Sequence, residues 1–316
     1  MDDFYNNIDK SIENITSKSL SKKKKKTITV TIYSRPITLQ IKLNKEDINK
    51  IKEQPLGNEL IKFRKKLYKK FKSENLILLN ENIKSLKVKI KYIAPEILLL
   101  KFASGKYKLK KNKIEIIKYF KEGTSNHEFF HMETSFYFKE GELAFCGFQQ
   151  INYLKEETIG RGLNEGYTEL LTSRYFNKQI KNRCYSYDIC TFFAEKLEQI
   201  VEKDRMEKFY MNADLFGLCK YLTNFDEFKN ILIFLLKLDH LVTHASSSNT
   251  KKYQEYYELI ECYLAKWYIS KKKQELDHNI IDKDTYDIKI KKYIDSLENK
   301  DLLIDNFVKQ IEYCLK

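Results

Sequence analysis

His127-Glu128-Phe129-Phe130-His131 sets two imidazoles four residues apart, with a glutamate directly after the first. From Gly123 onward the strand-like alternation of the upstream residues gives way to a helical pattern. Residues four apart on a helix share a face, with Cβ atoms about 5–6 Å apart. That separation lets two ring nitrogens converge on one zinc ion at about 2.0–2.1 Å each. Glu128 then stands beside the ion, where its carboxylate can take a proton from a water on the metal and hand it to a leaving group. Phe129 and Phe130 are expected to bury one side of the helix and hold the rings in place. The chain has five histidines, so two falling in this register around a glutamate carry weight. Two structural alternatives stand beside this one. Ser125-x-x-Glu128 is also a capping box, in which Glu128 turns back onto the helix start, although that leaves both histidines unexplained. The histidines could also be hydrogen-bonded polar residues on a half-buried helix.

A catalytic zinc usually takes three protein ligands and a water, the third ligand coming from a separate element. Glu165 stands thirty-four residues after His131, in the stretch Leu163-Asn164-Glu165-Gly166-Tyr167-Thr168-Glu169. On a helix, Leu163, Tyr167, Leu170 and Leu171 form an apolar stripe, while Glu165, Glu169 and Thr172 fall on another face. Carboxylates at this spacing repel by about 0.2–0.5 kcal/mol on an open helix, and a cation beside them removes that cost. The alternative is a pair of glutamates facing solvent.

These two segments together resemble the gluzincin metallopeptidases, the thermolysin-like and aminopeptidase N-like enzymes. The shared pattern is HExxH followed by a helix reading N-E-x-x-x-acid, and LNEGY is similar to the LNEGF of the aminopeptidases. The resemblance covers about residues 84–180. It implies an α+β fold with a zincin-like core: a small β-sheet, the HExxH helix and a glutamate-bearing helix, followed by a largely helical C-terminal lobe. It implies Zn2+ held by His127, His131 and Glu165. Glu169 takes the place of the carboxylate that orients a ligand histidine through its other ring nitrogen, and Asn164 belongs to the same supporting layer. The implied reaction is peptide-bond hydrolysis by a zinc-bound water that Glu128 activates, on a peptide or protein substrate. The Gly-x-Met-Glu-Asn motif that anchors the substrate amine in the aminopeptidases is missing, so an endopeptidase is expected. In zincins an edge strand pairs with the extended substrate, and Lys113 to Lys118 is the expected strand. An oxyanion donor is also needed. Tyr153 lies between the motifs, and Tyr185 and Tyr187 follow the second. His240 and His244, in DHLVTH, are a further candidate pair, although histidines at a helix C-terminus are also favoured by the macrodipole.

Around this core the chain reads as four parts: a basic tail (1–26), a basic α/β region (27–83), the metal-site core (84–180) and a helical lobe (181–316). The tail ends in the run Lys22 to Lys26. Strands are expected in TITVTIYS from Thr27, in ITLQIKL after Pro36, and in LKVKIKYI from Leu86. A short apolar run follows at Ile97 to Phe102. Helix is expected from Lys45 to Lys72 with a break near Pro55 and Gly57, and a hairpin turning at Lys111–Asn112. Gly141 to Gln150 reads as a short hairpin or loop.

Charge is lopsided: residues 1–120 carry 30 Lys+Arg against 12 Asp+Glu, the remainder 28 against 32. A basic half can bind nucleic acid, an anionic membrane or an acidic partner, or it can be a solvated surface. Its cations are nearly all Lys, with Arg35 and Arg64 the exceptions, which suits phosphate contact better than base readout. A basic nucleic-acid-binding protein and a non-catalytic zincin-like interaction module are therefore the competing functions. The six cysteines show no C-x-x-C spacing and read as reduced thiols of a cytoplasmic protein. No apolar leader and no stretch of about 18 apolar residues is visible, so no membrane span is expected.

Overall fold

Helical periodicity between Lys45 and Lys72 becomes two helices, α1 (Lys45–Glu53) and α2 (Gly57–Lys70), broken at Pro55 as expected. Asn44 caps α1 by accepting the Asp47 N–H at 2.8 Å, and Asp47 accepts the Asn44 N–H in return. The structure, a computed structural model, describes residues 31–34, 44–71, 82, 86–91, 105–117, 121–176, 185–243 and 250–298. The expected tail, the strand at Pro36 and the run from Ile97 to Phe102 lie outside these residues. Of the strand expected from Thr27, residues 31–34 are described, and they form no strand. Tyr33 pairs there through its backbone N–H and C=O with the Gln150 side-chain amide, at 2.8 Å each.

Alternation in LKVKIKYI yields β1 (Lys87–Lys91). The expected hairpin is present as β2 (Gly105–Lys108) and β3 (Lys113–Ile117), antiparallel, with Asn112 in the left-handed region at the turn. Ile114 and Ile116 face the core, and Glu115 sits on the other side between Lys108 and Lys113. One expectation is corrected here. β1 pairs with β3 in parallel, so the sheet order is β1-β3-β2. Lys113 to Ile117 is thus an inner strand with its backbone occupied on both sides, and β2 is the edge that lies beside the next helix. A parallel partner reached through a long connection leaves no local mark in the sequence.

That next helix is α3 (Lys121–Glu133), which carries both histidines. It starts four residues before Ser125, so Ser125 is inside the helix and the capping-box alternative is overturned. Phe129 and Phe130 are fully buried, as expected. Both meet the edge of Phe63 of α2, at 5.4 and 5.0 Å between centroids. The basic helix α2 therefore packs its apolar face on the back of the helix that carries both histidines. Arg64 on that face reaches Glu133 at 3.3 Å, with both side chains buried.

Four antiparallel strands follow as a meander: β4 (Ser135–Phe138), β5 (Leu143–Cys146), β6 (Gln149–Asn152) and β7 (Glu157–Ile159). Gly147, at φ 53°, turns β5 into β6. The meander leads into α4 (Arg161–Phe176), the helix of the second motif. After it come α5 (Tyr185–Val201), α6 (Lys203–Met211), α7 (Leu215–Leu222), α8 (Phe228–Thr243), α9 (Thr250–Asp277) and α10 (Lys283–Glu298). The fold is α+β, and its C-terminal part is helical as expected. No described helix is long and apolar enough to cross a membrane.

α4 is held from three directions. Asp239 of α8 accepts the backbone N–H groups of Gly160 at 2.9 Å and Gly162 at 2.7 Å, which caps the helix from another element. Burial pushes the Asp239 carboxyl up to about 7, against the pull of those N–H donors. Arg174 forks onto Glu198 of α5 at 2.6 and 2.9 Å and reaches Glu207 of α6 at 3.1 Å. Two glycines let the neighbouring helices close in. A Cβ on Gly162 would lie 2.4 Å from the Leu238 carbonyl oxygen, and one on Gly166 would lie 2.2 Å from that of Cys190. Both obstacles are backbone, so Gly166→Ala must push α4 and α5 apart. The expected cost is about 1–3 kcal/mol, read as a lowered unfolding midpoint in denaturant. An unchanged midpoint would show that the helices tolerate the extra methyl.

Candidate metal centre

α3 and α4 pack directly against each other, and their polar faces meet. His127 Nε2, His131 Nε2 and a Glu165 carboxylate oxygen form a triangle with edges of 2.9, 3.2 and 3.3 Å. Ligand atoms placed tetrahedrally at 2.0–2.1 Å from a zinc ion would stand roughly 3.3–3.4 Å apart. The three atoms thus have the spacing of one face of such a coordination shell. This is the group of described residues whose ligand atoms could hold a metal ion. Side-chain exposure is 8% for each histidine and 13% for Glu165, so the triangle is sheltered while Glu165 keeps a side toward solvent.

Behind the triangle, Glu169 accepts from or faces His127 Nδ1 at 3.2 Å. The solvent-facing alternative for the two glutamates is overturned, since Glu169 is 2% exposed. Thr172 and Thr168 are buried on the same helix, their hydroxyls turned back on Thr168 O and Asn164 O. Asn164 lies behind His131, its Nδ2 3.3 Å from His131 Nδ1. Each ring nitrogen of the two histidines thus has a defined neighbour.

Glu128 stays outside the triangle. Its carboxylate lies under β2, where a Cβ on Gly105 would come within 2.9 Å of Glu128 Oε1. The Tyr107 backbone N–H donates to it. Burial holds the Glu128 carboxyl above the usual carboxylate range, opposed by the nearby histidines. For His127, burial disfavours the charged ring, yet its bonds to Glu165 and Glu169 prevail and raise it to about 9. His131 is raised well above the ordinary value against the same burial, with Glu165 the main cause. Glu165 is held well below the carboxylate range, against burial, by His131 and His127. Three carboxylates around two buried imidazoles make a place that demands positive charge. Protons on the rings supply it in one way, and a dication between them supplies it in another, so the donor set fits a metal ion.

Tyr153 packs against Tyr137 at 6.0 Å, under the Lys110 ammonium. His240 sits in the last turn of α8 with its ring 5.5 Å from that of Tyr256, the helix-end position that suits a cation. His244 lies outside the described residues, as do the side chains of Tyr185 and Tyr187.

Sequence reasoning missed three residues at this centre. Gly105 leaves room for Glu128, Cys146 touches His131, and Asp239 fixes the start of α4. Their partners are 15 to 79 residues away, so no periodicity marks them. Cys146, Cys190, Cys219 and Cys262 form no disulfide among the described residues. Family models, curated proteins and solved structures were all compared with this chain, and none of them matches it.

Proposed function

We propose that the protein is a zinc-dependent metallopeptidase of the gluzincin type that cleaves peptide bonds within a polypeptide substrate. The observation that carries this reading is the triangle of His127, His131 and Glu165 ligand atoms, with Glu128 beside it and not in it. Bound there, zinc would supply a Lewis acid for the scissile carbonyl and a more acidic water. The chain supplies the rest. Glu169 holds the proton of His127 at Nδ1, which leaves Nε2 to the metal. Glu128, with its carboxyl raised by burial, accepts a proton from the attacking water and returns it to the departing amine. β2, the edge strand beside α3, offers backbone N–H and C=O groups along which an extended substrate can lie.

Elemental analysis tests the metal: protein purified without chelator carries about one zinc per chain. Removing the metal with a chelator abolishes cleavage of a mixed peptide library, and added zinc restores it. A folded, zinc-loaded protein that cleaves nothing in the library would overturn the catalytic part of the proposal.

A further inference from the structure

Helix α3 ends at Glu133, so its last carbonyls have no N–H within the helix. The Phe130 carbonyl accepts from Thr134, through N–H at 3.0 Å and the hydroxyl at 2.9 Å. The Met132 carbonyl accepts from Ser135 Oγ at 3.0 Å and Asn82 Nδ2 at 2.8 Å. The His131 carbonyl accepts from the Cys146 thiol at 3.4 Å. That bond uses the single S–H proton and leaves the sulfur lone pairs as acceptors. One of the groups they face is His131 Nδ1, at 3.6 Å.

The other polar neighbour of His131 Nδ1 is Asn164, and its orientation is settled by the backbone. The Phe148 N–H donates to Asn164 Oδ1 at 3.1 Å. A backbone N–H only donates, so the oxygen must be on that side, and the amide nitrogen faces His131 Nδ1 at 3.3 Å. Gly147 makes the approach possible: at φ 53° its missing Cβ would fall 2.3 Å from Asn164 Oδ1. An amide nitrogen cannot accept a proton. Were it to donate to the Nδ1 lone pair, the ring proton would move to Nε2, the nitrogen that faces His127 and Glu165, and would block it as a ligand.

We infer that Cys146 is the positioning residue of His131. Its sulfur accepts the Nδ1 proton and so keeps Nε2 open to the metal, the task Glu169 performs for His127. The β5–β6 turn delivers both halves of the device, since it carries Cys146 and the Phe148 N–H that turns Asn164. The inference rests on the zinc reading above.

The experiment compares wild type, Cys146→Ser and Cys146→Ala in zinc competition with a chromophoric chelator. In parallel, the His131 Nδ1 proton is followed by NMR in zinc-loaded protein made with isotope-labelled histidine. Cys146→Ala is expected to weaken zinc binding by about 10–100-fold, the usual effect of losing a ligand's orienting partner. Cys146→Ser, which keeps an acceptor, recovers most of that loss and shifts the Nδ1 proton resonance. Wild-type affinity in Cys146→Ala, or equal losses in both variants, overturns the inference. If Cys146→Ala does not fold, Cys146→Ser decides: an unmoved Nδ1 proton resonance overturns it. Wild type that takes up no zinc removes the proposed function and this inference together, whereas wild-type uptake with an indifferent Cys146→Ala removes this inference alone.

Discussion

Glu128→Gln is expected to keep the metal at wild-type stoichiometry and lower peptide hydrolysis by about 10²–10⁴-fold. Glutamine has the same shape, so it fits under Gly105, and its carbonyl oxygen still accepts the Tyr107 N–H. It cannot take up a proton from the attacking water. The ligand triangle does not include Glu128, so metal affinity is left alone. Steady-state kcat/KM on a cleaved peptide and elemental analysis of the same sample separate the two effects. A variant that loses zinc would place Glu128 in the coordination shell. One that retains full activity would assign the proton transfer to another group.

The second large effect concerns stability. Glu133 is fully buried, and neither of its oxygens has a hydrogen-bond partner among the described residues, so Arg64 at 3.3 Å is its compensating charge. Burial pushes its carboxyl from an ordinary 4.5 up to about 7, with Arg64 pulling it back down. Arg64→Met strands this carboxylate and is expected to cost about 3–5 kcal/mol near pH 8. The cost depends on pH, and its direction follows from the shift. Between 4.5 and about 7 the native Glu133 holds a proton that the unfolded chain has released. Native stability from this group therefore falls as pH rises through that window. Removing Arg64 extends the window upward, because the carboxyl is raised further. The deficit of Arg64→Met against wild type should thus be large near pH 8 and shrink toward roughly pH 5. Denaturant unfolding of both proteins at the two pH values measures it. A deficit equal at the two pH values would mean that Glu133 is ionised throughout.

The candidate metal centre was legible where its logic is local. His127 with His131, and Glu165 with Glu169, are each one helical turn apart, and a helix converts that spacing into a shared face. The burial of Phe129 and Phe130 followed from the same periodicity. What escaped was whatever depends on a distant partner. β3 was expected to be an edge strand because its parallel neighbour β1 comes 22 residues before it, on the far side of the hairpin that the Lys111–Asn112 turn announces. The capping box was a true local pattern at the wrong place, since α3 begins upstream of Ser125. Cys146 read as one of six reduced thiols, and only the pairing of β5 with β4 sets it against His131. The glycines of the second motif were visible as letters, but their reason lies in the carbonyls of Leu238 and Cys190.

The cap on α4 also bears on how the protein is made. Asp239 stands 77 residues after Gly162 in the chain. A ribosome adding about 5–20 residues per second emits those residues in roughly 4–15 s. During that interval both histidines and Glu165 have left the tunnel, while the helix that presents Glu165 still lacks its N-terminal anchor. The His127, His131 and Glu165 ligand atoms are thereby expected to reach their final spacing only after α8 has been synthesised and docked, so the candidate site is completed late in translation.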